Sequence, residues 1–348
     1  MRRSPAGARD VGISVREADL ERELPLLMRI LNDNFRARVP IDRFRWLYLD
    51  NPDGRAVAWF AVDDRSGEVV GSTAVTPRRI RLGRCRQEVV AWNCGDFSIS
   101  PRYRTMGAAL KLRRAARDAI DAGARPFLYA HPNDRMLPVH LRVGHAPLGR
   151  MVRYARRMRI ETGWPVVDAA GSIGLRFIGR ESFVRRREDL ELVTATVGAD
   201  FDELYARAAS RLGTALVRDA SYVRWRFWQM PCERHEIVVT RRKANLSGYL
   251  AFAIRDRVAH IKDWLTVDEA ARDQLFAGFI REMRRRDVET LSMIALETHP
   301  DVQAWRKFGF LRRPESSTAI TYAGDSFPQK AEVSTARSWY MTVGDRDV

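Results

Sequence analysis

Apolar residues Leu20, Leu24, Leu27, Met28, Leu31 and Phe35 recur at intervals of three and four. This is the spacing of one helical face, and it predicts an amphipathic helix over Leu20–Asn34. A short strand, Ile13–Arg16, precedes it. The segment around Phe44-Arg45-Trp46 reads as a second helix that ends before Pro52. Ala56–Asp63 and Val69–Val75 read as strands joined by a hairpin turn at Asp64-Arg65-Ser66-Gly67. A third strand, Val89–Ile99, runs into a turn begun by Pro101. A long helix over Ala108–Ala122 follows, then the short apolar strand Pro126–Ala130. A last helix, Met136–Val143, stops at Gly144, as helices often stop at glycine. Strands alternating with helices in this order predict a mixed α/β layer.

The pattern then returns. Val223-Arg224-Trp225 stands before Pro231 as Phe44-Arg45-Trp46 stands before Pro52, at an offset of 179 residues. Ala199-Asp200-Phe201 answers Ala18-Asp19-Leu20, Ser247-Gly248-Tyr249 answers Val70-Gly71-Ser72, and Phe308-Gly309-Phe310 answers Val143-Gly144-His145. The order is kept throughout, which points to an internal repeat. The second copy opens with a strand over Leu190–Val197 and a helix over Phe201–Leu212. The predicted organisation is therefore a first domain over 12–160, a linker over 161–189, a second domain over 190–325 and a C-terminal tail over 326–348. The linker has four glycines between Glu161 and Arg187, and the tail has weak periodicity.

A length of 348 residues agrees with two domains. No apolar run approaches the roughly 18–20 residues of a membrane span. The basic N-terminal stretch Met1–Asp10 has no apolar run behind it and reads as a loose tail rather than a signal peptide. Cys85, Cys94 and Cys232 form no CxxC pair, and no histidines cluster at metal spacing. A reducing cytoplasm is the expected location, with no metal. The net charge of +16 favours an anionic partner: nucleic acid, an acidic carrier protein and a phosphorylated cofactor all fit. The clusters Arg113-Arg114, Arg156-Arg157, Arg185-Arg186-Arg187 and Arg284-Arg285-Arg286 read as solvated helix faces and linker. A dedicated nucleic-acid surface is not expected.

The chemistry concentrates in Asp96-Phe97-Ser98-Ile99-Ser100-Pro101-Arg102-Tyr103-Arg104-Thr105-Met106-Gly107-Ala108-Ala109, which runs from a strand into the start of a long helix. A helix start offers unpaired N–H groups and the positive end of the dipole. Gly107, Ala108 and Ala109 let a diphosphate approach the backbone, with Arg102 and Arg104 adding charge. The same residues would also suit a plain tight turn between strand and helix.

Arg104-x-x-Gly107-x-Ala109 resembles the [Q/R]-x-x-G-x-[G/A] signature of the GNAT superfamily of acyl-CoA N-acyltransferases. His131-Pro132-Asn133 and the Pro138–His145 element resemble its later landmarks. The likeness covers residues 12–160, and 190–325 resemble the same fold without the phosphate loop. There Asp263-Trp264-Leu265-Thr266-Val267-Asp268-Glu269 has no glycine and places acids where diphosphate would sit. The resemblance implies two tandem GNAT-like domains with one cofactor site. Acetyl-CoA or another acyl-CoA would lie on the backbone of Arg104, Thr105, Met106, Gly107, Ala108 and Ala109. Its pantetheine arm would run along Phe97, Ser98 and Ile99, touching Asn133. The family's tyrosine acid stands four residues before the glycine of the closing turn. Here that position is His140, a departure that keeps a proton donor, with Tyr103 and Tyr129 as alternatives. Asp96 is the candidate base, and Glu88 a weaker one. Asp96 could equally tie strand to loop, and His140 could equally be a packing residue. Trp46 and Trp225 read as packing anchors; Arg45, Trp46 and Tyr48 are also candidates to line a substrate cleft. No cysteine sits beside an evident base, so direct attack by a small-molecule primary amine in a ternary complex is expected. Two rivals are an acyltransferase fed by an acyl carrier protein and a non-catalytic module binding nucleic acid or another ligand.

Overall fold

The computed structural model describes residues 12–35, 37–104, 106–159 and 179–346. Thr105, most of the predicted linker and the predicted N-terminal tail lie outside these residues. The first half runs β1 (Ile13–Glu17), α1 (Leu20–Asn32), α2 (Ile41–Tyr48), β2 (Val57–Asp63), β3 (Val69–Arg81), β4 (Glu88–Ile99), α3 (Met106–Asp121), β5 (Phe127–Ala130), α4 (Leu137–Arg142) and β6 (Ala146–Arg157). The second runs β7 (Leu190–Leu192), α5 (Asp200–Ala208), β8 (Thr214–Leu216), α6 (Ala220–Val223) with a π-turn over Arg224–Trp228, β9 (Glu236–Arg242), β10 (Asn245–Arg255), β11 (Val258–Thr266), α7 (Glu269–Arg285), β12 (Thr290–Leu296), α8 (Val302–Lys307) and β13 (Leu311–Ala323). After it come α9 (Lys330–Val333) and β14 (Trp339–Tyr340). Among the described residues no helix is long and apolar enough to cross a membrane.

Local chemistry sets the ends of these elements. Asp19 accepts from the N–H groups of Glu21 and Arg22 at the start of α1, and Glu23 reaches back to the N–H of Asp19 at 2.9 Å. The stripe Leu20, Leu24, Leu27, Ile30 and Leu31 is buried, as the periodicity predicts. Gly144 and Gly309, at φ +92° and +78°, end α4 and α8 in the left-handed region that suits glycine.

The strands form one continuous sheet in the order β1-β2-β3-β4-β5-β13-β6-β12-β11-β10-β9-β7. The mixed α/β layer is as expected, but a single continuous sheet stands where two tandem domains were expected. β13 inserts between β5 and β6, pairing Ile320 with Ala130, and β6 continues into β12, pairing Tyr154 with Met293. Each half closes on the last long strand of the other. The Trp46 and Trp225 rings stack at 4.5 Å and 13° across the junction. Each indole N–H donates to the other's backbone carbonyl, at 2.9 and 3.0 Å. The two indoles thus hold the junction by the same contact in both directions.

The C-terminal segment is not a tail. Trp339, Met341, Thr342 and Asp345 are buried, β14 pairs with β8, and Leu296 donates its N–H to the Met341 carbonyl at 3.0 Å. The weak periodicity that suggested a tail comes from chain that threads between elements instead of lying along one. At the far end of the predicted linker, Glu181 is buried and paired with Arg156.

Candidate functional site

The site begins with a defect in β4. Ser72 pairs with Ser98 and Ala74 with Gly95, so β4 carries one residue more than β3 between these pairs. This is a β-bulge, and Asp96 within it has φ +34°. β4 pairs in parallel with β5 only over Trp92–Cys94. Beyond Cys94 the strands part, and the edge of Phe97–Ile99 that faces β5 has no partner strand among the described residues.

This splay opens into a cavity of about 390 Å³. Phe97, Ser98, Ile99, Arg104, Ala109 and Asn133, all expected at a cofactor site, line it. α3 starts at Met106, with Gly107 exposed and Ala108 and Ala109 buried, and Ala109 brings its first turn to the cavity wall. Arg104 donates to the Ile99 carbonyl at 3.1 Å and to Asn34 Oδ1. Asn34 Nδ2 in turn donates to Ser98 Oγ at 2.6 Å. Asn133 accepts from the N–H groups of Arg135 and Met136 at 3.1 and 3.0 Å and shapes the entry to α4. A larger cavity of about 850 Å³ lies beneath residues 180–188 on α7. Ion pairs form its walls, Arg180–Asp273 at 2.7 Å and Arg242–Glu188 at 2.8 Å.

The second half contains the same splay, filled. β11 pairs with β12 only over Val258–Ile261, after which the C-terminal segment enters. Tyr340 donates its hydroxyl to the Trp264 carbonyl at 2.8 Å, and Thr342 bridges to Ala295 and donates to Asp263 at 2.7 Å. Asp268 caps α7 through the N–H of Ala271 at 2.7 Å, so the helix start is met by the chain's own carboxylate. About 100 Å³ is left there, lined in part by Asp268, Glu269 and Asp301.

The candidate acid and base sit differently from expectation. Asp96 accepts from the Tyr48 hydroxyl at 2.5 Å and pairs with Arg43 at 3.3 Å. Its counterpart Asp263 is wholly buried between Arg218 and Tyr249, at 3.0 and 2.6 Å. His140 is 1% exposed and lies Nδ1 to Nδ1 against His145 at 2.7 Å. Burial, then the charges of Arg113 and His145, hold His140 far below the ordinary imidazole range. Burial, Arg113 and Arg117 push His145 down to about 3. Burial thus disfavours the imidazolium form that the expected acid role of His140 requires. The alternative donors are engaged too: Tyr103 donates to Asp63 at 2.7 Å, and Tyr129 to the Asp345 carbonyl at 3.0 Å. Of the expected cleft residues, Trp46 is taken up by its stack and Tyr48 by Asp96, while Arg45 is exposed.

Sequence reasoning missed Asn34, Arg43 and the C-terminal plug, and its reading of Arg113 as part of a solvated helix face is overturned by burial. Arg113 had a signal. It falls on the apolar stripe of α3 with Ala109, Leu112, Ala116 and Ile120, where a charge needs a reason. It is 3% exposed, donates to Thr73 Oγ1 at 2.8 Å and to Cys94 Sγ, and lies 4.8 Å from the Phe97 ring. Burial pulls its guanidinium down from the ordinary range, opposed by Cys94 and Asp96.

No family model matches the chain, and no curated protein matches its sequence. Solved structures do match its fold. A GCN5-related N-acetyltransferase from Anabaena variabilis ATCC 29413 superposes with a TM-score of 0.67 at 18% identity, over 90% of this chain and 73% of that one. A conserved protein of unknown function from Enterococcus faecalis V583, named a "probable N-acyltransferase", gives 0.70 at 13% identity, over 92% and 75%. A GCN5-related N-acetyltransferase from Kribbella flavida gives 0.64 at 16%, over 94% and 74%. The chain has the mixed α/β fold of the GNAT acetyltransferases, and each match spans both halves.

Proposed function

We propose that this chain is an acyl-CoA-dependent N-acyltransferase, built from two GNAT-like halves (12–160 and 190–325, joined by 161–189), with its cofactor site in the first. One observation carries the reading. The same strand splay occurs twice, open above a glycine-bearing helix start in the first half and filled by the chain itself in the second. The diphosphate of the acyl-CoA sits on the backbone from Arg104 to Ala109, and the pantetheine arm pairs with the free edge of Phe97–Ile99 beside Asn133. The thioester then lies toward the apex of the splay, near Cys94 and the bulge. Asp96, held by Tyr48 and Arg43, takes the proton of the attacking amine. The acyl group is acetyl and the acceptor a primary amine of a small molecule.

Titration calorimetry with acetyl-CoA tests the reading. Wild type binds, and Gly107→Glu, which places a carboxylate at the diphosphate, loses affinity by about tenfold or more. A wild-type chain that shows no binding of CoA or acetyl-CoA refutes it. Turnover on a panel of small amines then identifies the acceptor.

A further inference from the structure

The proposed reaction ends with a negative charge that must be stabilised. The amine nitrogen attacks the thioester carbonyl carbon, and the C–O π pair moves to oxygen. On collapse the C=O bond re-forms, the C–S bond breaks, and its electron pair leaves on sulfur. The amine's surplus proton passes to Asp96 and then to water. The products are an amide, a coenzyme A thiolate and a proton. His140, the residue expected to protonate that thiolate, is neutral and buried against His145.

We infer that Arg113 stabilises the departing thiolate, as a buried guanidinium held beside the apex of the β4–β5 splay by neutral partners. This deepens the acyltransferase reading and rests on it. Its hydrogen bonds go to the Thr73 hydroxyl and the Cys94 thiol, and its Nε has no partner among the described residues. Burial pushes the Cys94 thiol up, so Cys94 accepts from Arg113 as a thiol and does not neutralise it. Asp96, the carboxylate whose charge reaches Arg113, is already engaged by Arg43 and Tyr48. A buried charge with no carboxylate among its hydrogen-bond partners is costly, so a fold that retains one has a use for it.

The second half shows how this chain treats a buried arginine when no ligand enters. Arg218 is wholly buried too, and it meets two carboxylates, Asp263 at 3.0 Å and Asp345 at 2.8 Å. Where the splay is plugged, the cation is compensated. Where the splay is open, it is left to attract an anion. That anion is not the diphosphate, because Arg113 lies two turns along α3, about 10 Å from the helix start. It lies instead beneath Phe97, next to Cys94, where the two strands meet. In a site of low dielectric, a fixed charge that stabilises only the developing anion lowers the barrier without tightening ground-state binding.

The test is the thiol titration of bound CoA, read as thiolate absorbance in the difference between the CoA and dethio-CoA complexes. In wild type the bound thiol titrates about one pH unit or more below free CoA. In Arg113→Gln that displacement is lost, while Arg113→Lys keeps part of it. For turnover, Arg113→Gln lowers kcat by about ten- to a hundredfold with little change in the KM for acetyl-CoA, and Arg113→Lys recovers part of the loss. A residue that merely clamps α3 to the sheet would move the melting temperature and KM but not the thiol. The wild-type titration needs no variant, so the inference stays testable even if Arg113→Gln fails to fold. CoA that binds wild type with an unshifted thiol overturns this inference and leaves the acyltransferase reading standing. CoA that does not bind at all removes both.

Discussion

Mild acid should destabilise this protein before most of its carboxylates titrate. All six histidines are held below the ordinary imidazole range, with burial the largest cause in each. Three are almost fully enclosed: His140, His145 and His299, at 1%, 3% and 2% exposure. Burial and Arg218, opposed by Asp301, push His299 down to about 3. A histidine with a depressed folded pKa binds fewer protons in the native state than in the unfolded chain. Its contribution is intact above the unfolded value of about 6.5 and is lost as pH falls below it. Between about pH 7.5 and 5.5 each such ring costs about 1.4 kcal/mol, so the three together cost about 4 kcal/mol. Asp345 runs the other way. Burial raises its carboxyl, so it takes up a proton in the native state over part of this range and offsets up to about one histidine. A loss of about 3–4 kcal/mol is a large share of the 5–15 kcal/mol stability of a typical domain. Urea melts at stepped pH measure it, and the slope of stability against pH gives a proton uptake on unfolding of two to three near pH 5.5. His299→Asn should reduce that uptake by about one. Stability that stays flat from pH 7.5 to 5.5 would refute the burial argument, and with it the neutral state assigned to His140.

Three other outcomes follow from named contacts. Trp46→Phe and Trp225→Phe each remove one indole donor and orphan one buried carbonyl, costing about 1–3 kcal/mol apiece by denaturant melts. A double mutant whose loss is the plain sum of the two would deny that the rings act as a reciprocal pair. Asp96→Asn retains an acceptor for Tyr48 but removes the carboxylate, and should lower kcat by about a hundredfold or more with acetyl-CoA affinity kept. Undiminished turnover would leave Asp96 only its tie between β4 and α2. Burial alone would raise the Glu181 carboxyl, but Arg156 and Arg284 override it and hold it low. Glu181→Gln should cost about 3–5 kcal/mol by removing the buried carboxylate that pairs with Arg156 and Arg284. The lowered carboxyl contributes its stability above about pH 4.5 and loses it below, so wild type and variant should converge in acid.

The parts of the molecule that sequence reading reached are those with local causes. Helical stripes, the hairpin at Gly67 and the stops at Gly144 and Gly309 are decided within a few residues, and each lies where its pattern puts it. The strand, turn and helix start around Phe97–Ala109 belong to the same class, because they are contiguous in the chain, whereas a role for the edge of Phe97–Ile99 comes only from the family resemblance. What escaped was set by distant partners. Nothing around Leu311–Ala323 states that this strand will lie between β5 and β6. Nothing around Trp339–Asp345 states that it will fill a gap in another strand pair. His140 shows the same limit for chemistry. Its position matches an acid, but its protonation is decided by burial and by Arg113, which stands 27 residues earlier in the chain.

The strand exchange bears on how the second splay is filled. β6 and β13 lie side by side at the centre of the sheet, so neither half can close its sheet without the other. Losing a ligand from one splay leaves backbone groups without partners, which is costly unless something replaces it. In the second half the chain's own C-terminal segment does this: Met341, Thr342 and Tyr340 supply the partners, and Asp345 compensates Arg218. That segment also ties the halves together, because the Asp345 carbonyl accepts from Tyr129 on β5 and the Gly344 carbonyl from Tyr222 at 3.0 Å. A plug that does structural work in both halves is not a movable lid. Its removal should weaken the whole sheet before it opens the second splay, so the proposed acyl-CoA should bind once per chain.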